Sequence, residues 1–277
     1  MTNGKLRPED YMEPECPLCD KPVGYRQKKD MIPQQRISQK LDEMMGAKDH
    51  AGAERMLKYW LNEATANGDD QGKFMIYNEM MGFYRKVSDK NNAYDSISKA
   101  CSMIPMLGYS ASVSGATCYI NAATVYTSFG EPELAIEYFG RAEKIYTDIE
   151  NLDPIKLAGL YNNMATAYCS MNESSRAWEL FSKALDTLKD CRGSEPEQAI
   201  TYLNMIDIIM DGDDKEKEVR IAEHLSRAQE LLDSESVPHD GYYAFVCDKC
   251  ISIYEYFGWF RYVKQLKERI ASINERT

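Results

Sequence analysis

Residues 119–142 read YINAATVYTSFGEPELAIEYFGRA, and the spacing inside this stretch decides the fold. Tyr119, Ala122, Ala123 and Tyr126 fall at i, i+3, i+4 and i+7, which is one face of a helix. Phe129-Gly130-Glu131-Pro132 then stops that helix and starts another, whose buried face is Ala135, Phe139 and Ala142. Outward from here the pattern returns at a step of 42 residues. Tyr77, Tyr119 and Tyr161 keep that step, as do Tyr84, Tyr126 and Tyr168. Ala93, Ala135 and Ala177 repeat with it, and so do Ala100, Ala142 and Ala184. Small residues at fixed places let two helices approach closely, and large ones fill the space between them.

Weaker units flank these three. Ile37, Leu41 and Met44 with Ala53, Leu57 and Trp60 make one at the start. Tyr202, Met205, Ile206 and Ile209 continue the first-helix pattern, but their partners Ile221, Leu225 and Ala228 come late, which predicts a longer loop over residues 211–218. Cys247, Cys250, Ile251 and Tyr254 with Val263 and Ile270 make the last, and terminal repeats are often atypical because one face has no neighbour.

The arrangement resembles the tetratricopeptide repeat, in which an aromatic, a large apolar residue, a small residue and Tyr on the first helix precede Ala, Phe and Ala on the second. The step of about 42 residues is similar to that of kinesin light chains, related bacterial adaptors and peptide-pheromone receptors. The resemblance spans about residues 34–273 and is strongest in the middle half. It implies an all-α chain, a right-handed α-α superhelix of about six helix pairs over residues 34–277, preceded by an irregular arm over 1–33. It also implies that first helices line a groove that holds a peptide.

Composition narrows the partners. Against 33 Lys and Arg stand 44 Asp and Glu, a formal charge of −11, which disfavours nucleic acid and anionic lipid because phosphate binding needs clustered cations. Neither an apolar run long enough to span a bilayer nor a secretory leader is apparent, so a soluble cytoplasmic protein is expected. The eight cysteines then read as reduced thiols, core fillers or metal ligands.

Beside the packing face of the first helices runs a polar stripe. Asn121, Thr124 and Ser128 fall at i, i+3 and i+7, Asn163, Thr166 and Ser170 repeat them, and Asn204, Asp207 and Asp211 continue the row. Asn78 and Asn162 stand one residue after Tyr77 and Tyr161, at the edge of the same surface. An Asn amide offers two donors and an acceptor, so such a row can pair with the backbone of an extended peptide. The other reading is that these side chains are solvated, or bond the adjacent repeat to fix its angle; the residues leave both open. The scattered Arg85, Lys86 and Lys249 make no clamp for a terminal carboxylate.

Two Cys-x-x-Cys pairs stand apart. Cys16 and Cys19 lie in the Pro-rich arm and resemble a zinc knuckle, and Cys247 and Cys250 lie in the last repeat; together they offer four sulfurs for a structural zinc. Cys247 and Cys250 also occupy the slots that hold Tyr119 and Ala122 in an earlier unit, where a buried Cys is simply a small hydrophobe. The three histidines are dispersed, with no metalloprotease, nucleophile-elbow or phosphate-loop pattern. The expectation is a non-enzymatic scaffold that needs no cofactor and binds a protein or peptide, with Tyr11, Met12 and Pro14 of the arm as a mimic of that ligand. A peptide-sensing regulator and a zinc-tied structural subunit are the alternatives, and the oligomeric state is not legible.

Overall fold

The computed structural model describes residues 31–212 and 215–275, so the expectations for Tyr11, Met12, Pro14, Cys16 and Cys19 lie outside the described residues. Twelve helices and no strand occur among the described residues. They fall into two compact units, which divide between residues 129 and 130.

The first unit holds α1 (Gln34–Gly46), α2 (His50–Ala66), α3 (Asp70–Lys86), α4 (Lys90–Met106) and α5 (Val113–Ser128). Three-residue turns join α1 to α2, α2 to α3 and α3 to α4, and each turn has the same construction. Its middle residue, Lys48, Gly68 or Ser88, has a left-handed backbone with φ of 58°, 63° and 60°. An aspartate follows as N-cap: Asp49 accepts from the amide of Gly52, Asp69 from Gly72 and Asp89 from Asn92, at 2.8, 2.8 and 3.1 Å. Each such cap satisfies one of the orphan amides of a helix start and is worth about 1 kcal/mol. Asp69 does more, because its other oxygen accepts from the amide of Ile32 at 3.0 Å. Gly72 makes room for that contact: a Cβ there would lie 2.7 Å from the Ile32 side chain.

Packing in this unit follows the expected face. Ile37, Ala53, Leu57, Met81, Ala93 and Ala100 are fully buried, as are Ala122 and Ala123 of α5. Gly115 in the first turn of α5 is required by close approach, since a Cβ would meet the carbonyl oxygen of Tyr109 at 2.1 Å.

The second unit holds α6 (Pro132–Asp148), α7 (Pro154–Ser170), α8 (Ser174–Leu188), α9 (Glu195–Asp211), α10 (Lys217–Leu232), α11 (Gly241–Tyr256) and α12 (Phe260–Asn274). Pro132 opens α6 at its first turn, where a missing amide proton costs nothing, just after Gly130 at φ 76°. Helices α7 and α8, α9 and α10, and α11 and α12 pack as sequential pairs. Ala165, Ala177 and Ala184 are fully buried and Phe181 nearly so, and burying a Phe of this kind stabilises by roughly 1.5–3 kcal/mol. The anticipated loop over 211–218 is shorter than expected: α9 runs to Asp211 and α10 starts at Lys217, because exposed Lys and Glu are good helix formers that extend the second helix backwards.

The last pair closes on a polar network instead of alanines. Asp233 accepts from the Tyr262 hydroxyl at 3.1 Å and from Arg269 at 2.6 Å, while the Tyr243 hydroxyl donates to the carbonyl of Leu232 at 3.0 Å. Among the described residues no helix is long and apolar enough to cross a membrane.

Ala184 is fully buried and packs with Ala158 and Leu188. Replacing Ala184 with Leu is expected to destabilise the chain by about 1–3 kcal/mol through overpacking, whereas Ala222→Leu on the exposed side of α10 is expected to stay within about 0.5 kcal/mol. Urea denaturation of the two variants checks this, and equal stabilities would contradict the packing assignment.

Candidate functional site

The polar stripe divides between the two units, and its members behave differently in each. In the first unit the Asn78 amide donates to the carbonyl of Phe74 at 2.9 Å and its oxygen accepts from Asn121 at 3.2 Å. Both side chains are thereby engaged between α3 and α5, which is the repeat-bonding role left open by the sequence. Thr124 donates to the carbonyl of Ile120 at 2.8 Å and Ser128 to that of Thr124 at 2.9 Å. Thr166 and Ser170 do the same in α7, towards Asn162 and Thr166, at 3.0 and 3.1 Å. These hydroxyl protons are turned back onto their own helices, so the threonines keep only acceptor lone pairs for a ligand.

In the second unit the first helices α7, α9 and α11 line a cleft of about 390 Å³. Asn162, Asn163 and Thr166 of α7 and Asn204 of α9 all line it, so four of the expected residues meet there. The amides of Asn163 and Asn204 have no hydrogen-bond partner among the described residues. Apolar walls come from Ile200, Leu203 and Ile253, and Gly159 leaves open space where a Cβ would be. Asp207 stands outside this cleft; its carboxyl is raised above the usual range by partial burial and by neighbouring Asp211.

Asn162 is held by a chain of bonds that fixes which way its amide points. The Thr201 hydroxyl donates to the carbonyl of Glu197 at 2.8 Å, so towards Asn162 it can only accept. The Asn162 Nδ2 therefore donates to Thr201 Oγ1 at 2.8 Å, and to the carbonyl of Ala158 at 3.3 Å. A flipped amide would set oxygen against two acceptors. Asn162 Oδ1 is left buried and without a donor.

Sequence reasoning missed Glu197. It lies in the first turn of α9, is only 8% exposed, and lines the same cleft. Burial raises its carboxyl above the ordinary glutamate value, while a hydrogen bond from the Tyr242 hydroxyl partly counters the shift. Its Oε2 is buried and has no donor. The signal in the sequence was slight: an acid three residues before Ile200, in a first turn where acids are common for the helix dipole alone. Lys249 also lines the cleft, and its Nζ lies 4.3 Å from the ring centre of Phe245.

Cys247 and Cys250 point into the core of α9 to α12. Burial pushes their thiols up to about 11 and about 12, so the neutral form dominates, whereas a metal takes thiolates. Among the described residues no group of three His, Cys, Asp or Glu side chains converges as a metal site. His224 is packed between Trp178 and Tyr202 with Nδ1 against the carbonyl of Arg220 at 2.8 Å, and burial lowers its pKa.

No family model matches the sequence, and no curated protein matches it. Among solved structures it is similar to BtubC (BKLC) from P. vanneervenii, with TM-score 0.62 and 19% identity over 74% of this chain and 83% of that one. TPR-like repeats of a Podosopora anserina kinesin light chain align with TM-score 0.46 and 13% identity over 72% and 94% of the two chains. MamA aligns with TM-score 0.45 and 18% identity over 69% and 93%. The likeness is one of fold: the chain is a helical repeat protein of the tetratricopeptide type.

The raised carboxyl of Glu197 carries a sign. The folded state holds this proton more tightly than the unfolded chain does, so stability present below the ordinary value of 4.5 is lost as pH rises through it towards the raised value. Glu197→Gln removes that loss. The variant is expected to match the wild type near about pH 4 and to exceed it by about 1 kcal/mol or more near about pH 7 in urea denaturation; a difference that does not change with pH would contradict it.

Proposed function

We propose that the chain is a non-enzymatic binding scaffold whose second unit grips an extended peptide or partner segment in the cleft of α7, α9 and α11. The observation that carries this reading is the state of Asn163 and Asn204: both line the cleft with unengaged amides, whereas Asn78 and Asn121 bond each other. An Asn amide matches the donor and acceptor of a peptide backbone, so affinity would come from main-chain pairing whatever the peptide's side chains. Ile200, Leu203 and Ile253 add apolar surface for one or two of those side chains. Thr166 contributes its lone pairs. The sequence supports the non-catalytic part, since none of its patterns assembles a nucleophile, base and orienting group. Cys247 and Cys250 act in this reading as core residues, with no structural zinc required.

Peptides selected from a random displayed library on the full chain provide the probe. Asn163→Ala and Asn204→Ala are each expected to weaken such a peptide by about 1 kcal/mol, roughly fivefold, with helical content intact. Gly159→Leu directs a side chain into open cleft space and replaces Gly by a better helix former, so it should fold at least as well and bind at least about tenfold more weakly. Fluorescence anisotropy reads all three, and unchanged affinity in every variant would sink the assignment.

A further inference from the structure

Two thiols meet in the first unit, Cys101 of α4 and Cys118 of α5. They are in hydrogen-bond contact, with the Cys118 thiol donating to the Cys101 sulfur. Cys118 is fully buried, whereas Cys101 is only partly covered. A third group completes the cluster. The Asn78 amide donates one hydrogen to the carbonyl of Phe74, accepts on its oxygen from Asn121, and turns its remaining N–H towards the Cys118 sulfur. Repeat packing calls for neither cysteine: at the matching places the next repeats carry Ile76 and Leu160 in one column, and Glu143 and Leu185 in the other. Cys247 and Cys250 differ from this pair, because both are buried and no reagent from solvent reaches either.

We propose that Cys101 and Cys118 are the site of a reversible disulfide, made by exchange with a low-molecular-weight disulfide such as glutathione disulfide. Sulfurs in hydrogen-bond contact have only about 2 Å to close before they reach the disulfide length. Exposure sets the order of events. The Cys101 thiolate attacks one sulfur of glutathione disulfide, breaks its S–S bond and releases one glutathione, which takes up the proton that Cys101 gave to solvent. Cys118 keeps its proton until then, because its hydrogen bond to Cys101 and, after that, burial raise its thiol above the usual range. Once Cys101 is capped, Cys118 loses its proton and attacks the Cys101 sulfur, and a second glutathione leaves with that proton. Two protein thiols are thereby oxidised by two electrons, and one glutathione disulfide is reduced to two thiols. Asn78 is the positioning residue for this second step, since its N–H stabilises the buried Cys118 thiolate as it forms. The new bond ties α4 to α5, the helix that carries Asn121 and Thr124.

The test exposes the reduced full chain to glutathione disulfide, alkylates the remaining thiols and maps the peptides by mass spectrometry. The expected product joins the Cys101 and Cys118 peptides with the loss of two hydrogens and reverts with dithiothreitol. Cys118→Ala should stop at the glutathione adduct of Cys101. Cys101→Ala should leave Cys118 unmodified under conditions that convert the wild type in full. Asn78→Ala should gain the Cys101 adduct at the wild-type rate but resolve it at least about tenfold more slowly. Thermal melting of the reduced variants establishes that each is folded. A wild-type chain that stays unmodified, retains the adduct, or joins Cys101 to a different cysteine overturns the site, as does a Cys118 that reacts just as fast in Cys101→Ala. Resolution at the wild-type rate in Asn78→Ala overturns the role given to Asn78.

Discussion

The closeness of helix to helix at alanine is the constraint from which the rest of the structure follows. Ala93 and Ala100 in α4, Ala123 in α5, Ala165 in α7 and Ala177 and Ala184 in α8 have no exposed surface, so backbones meet where these side chains end. Close contact of this kind leaves no freedom to slide, because a larger residue clashes and a void loses dispersion contacts. Once the alanine face of a first helix is turned to its neighbours, the residues beside it are committed to one surface. That is how Asn162, Asn163 and Asn204 come to share a cleft although 42 residues separate the first from the last.

Residues of the same type on such a surface need not do the same work. Asn121 and Asn163 hold matching places in the repeat, but Asn121 donates to Asn78 whereas Asn163 has no partner among the described residues. The difference lies in the preceding repeat: the place that Asn78 holds before Asn121 is held before Asn163 by Ile120, whose side chain offers no acceptor. For Asn204 the matching place holds Asn162, whose amide donates instead to Thr201, which has its own proton engaged on the carbonyl of Glu197. A threonine in place of the apolar residues that precede Tyr77 and Tyr161 thus leaves Asn204 without the partner that Asn121 has.

The all-helical repeat was legible because its signal is summed over many positions: four tyrosine and alanine columns at one step leave little choice of fold. Local turn chemistry was equally present but went unread. Asp49, Asp69 and Asp89 recur every 20 residues as caps, which marks the starts of α2, α3 and α4 more sharply than Gly130 and Pro132 mark α6. The stripe was legible as a row of polar residues but not as a division of labour, since hydrogen-bond partners lie on the next repeat and depend on one threonine. Glu197 was invisible for a different reason. It shares its cleft with Tyr242 of α11, whose helix begins 46 residues after α9 where the earlier step would predict fewer, so no regular spacing connects the two.

A cleft with two unpaired buried acceptors is not what stability alone would produce. Each such group costs about 1–3 kcal/mol, against a total stability of about 5–15 kcal/mol for a folded domain. The chain had inexpensive remedies available: an apolar residue at 201 would free Asn162 to turn, and a glutamine at 197 would remove the charge. It keeps instead Thr201, which locks the amide, and Tyr242, whose hydroxyl partly counters the upward shift that burial gives the carboxyl. The packed helices that carry these groups also hold Asn163 and Asn204 in the wall of the cleft, so little conformational freedom remains there to be lost on binding.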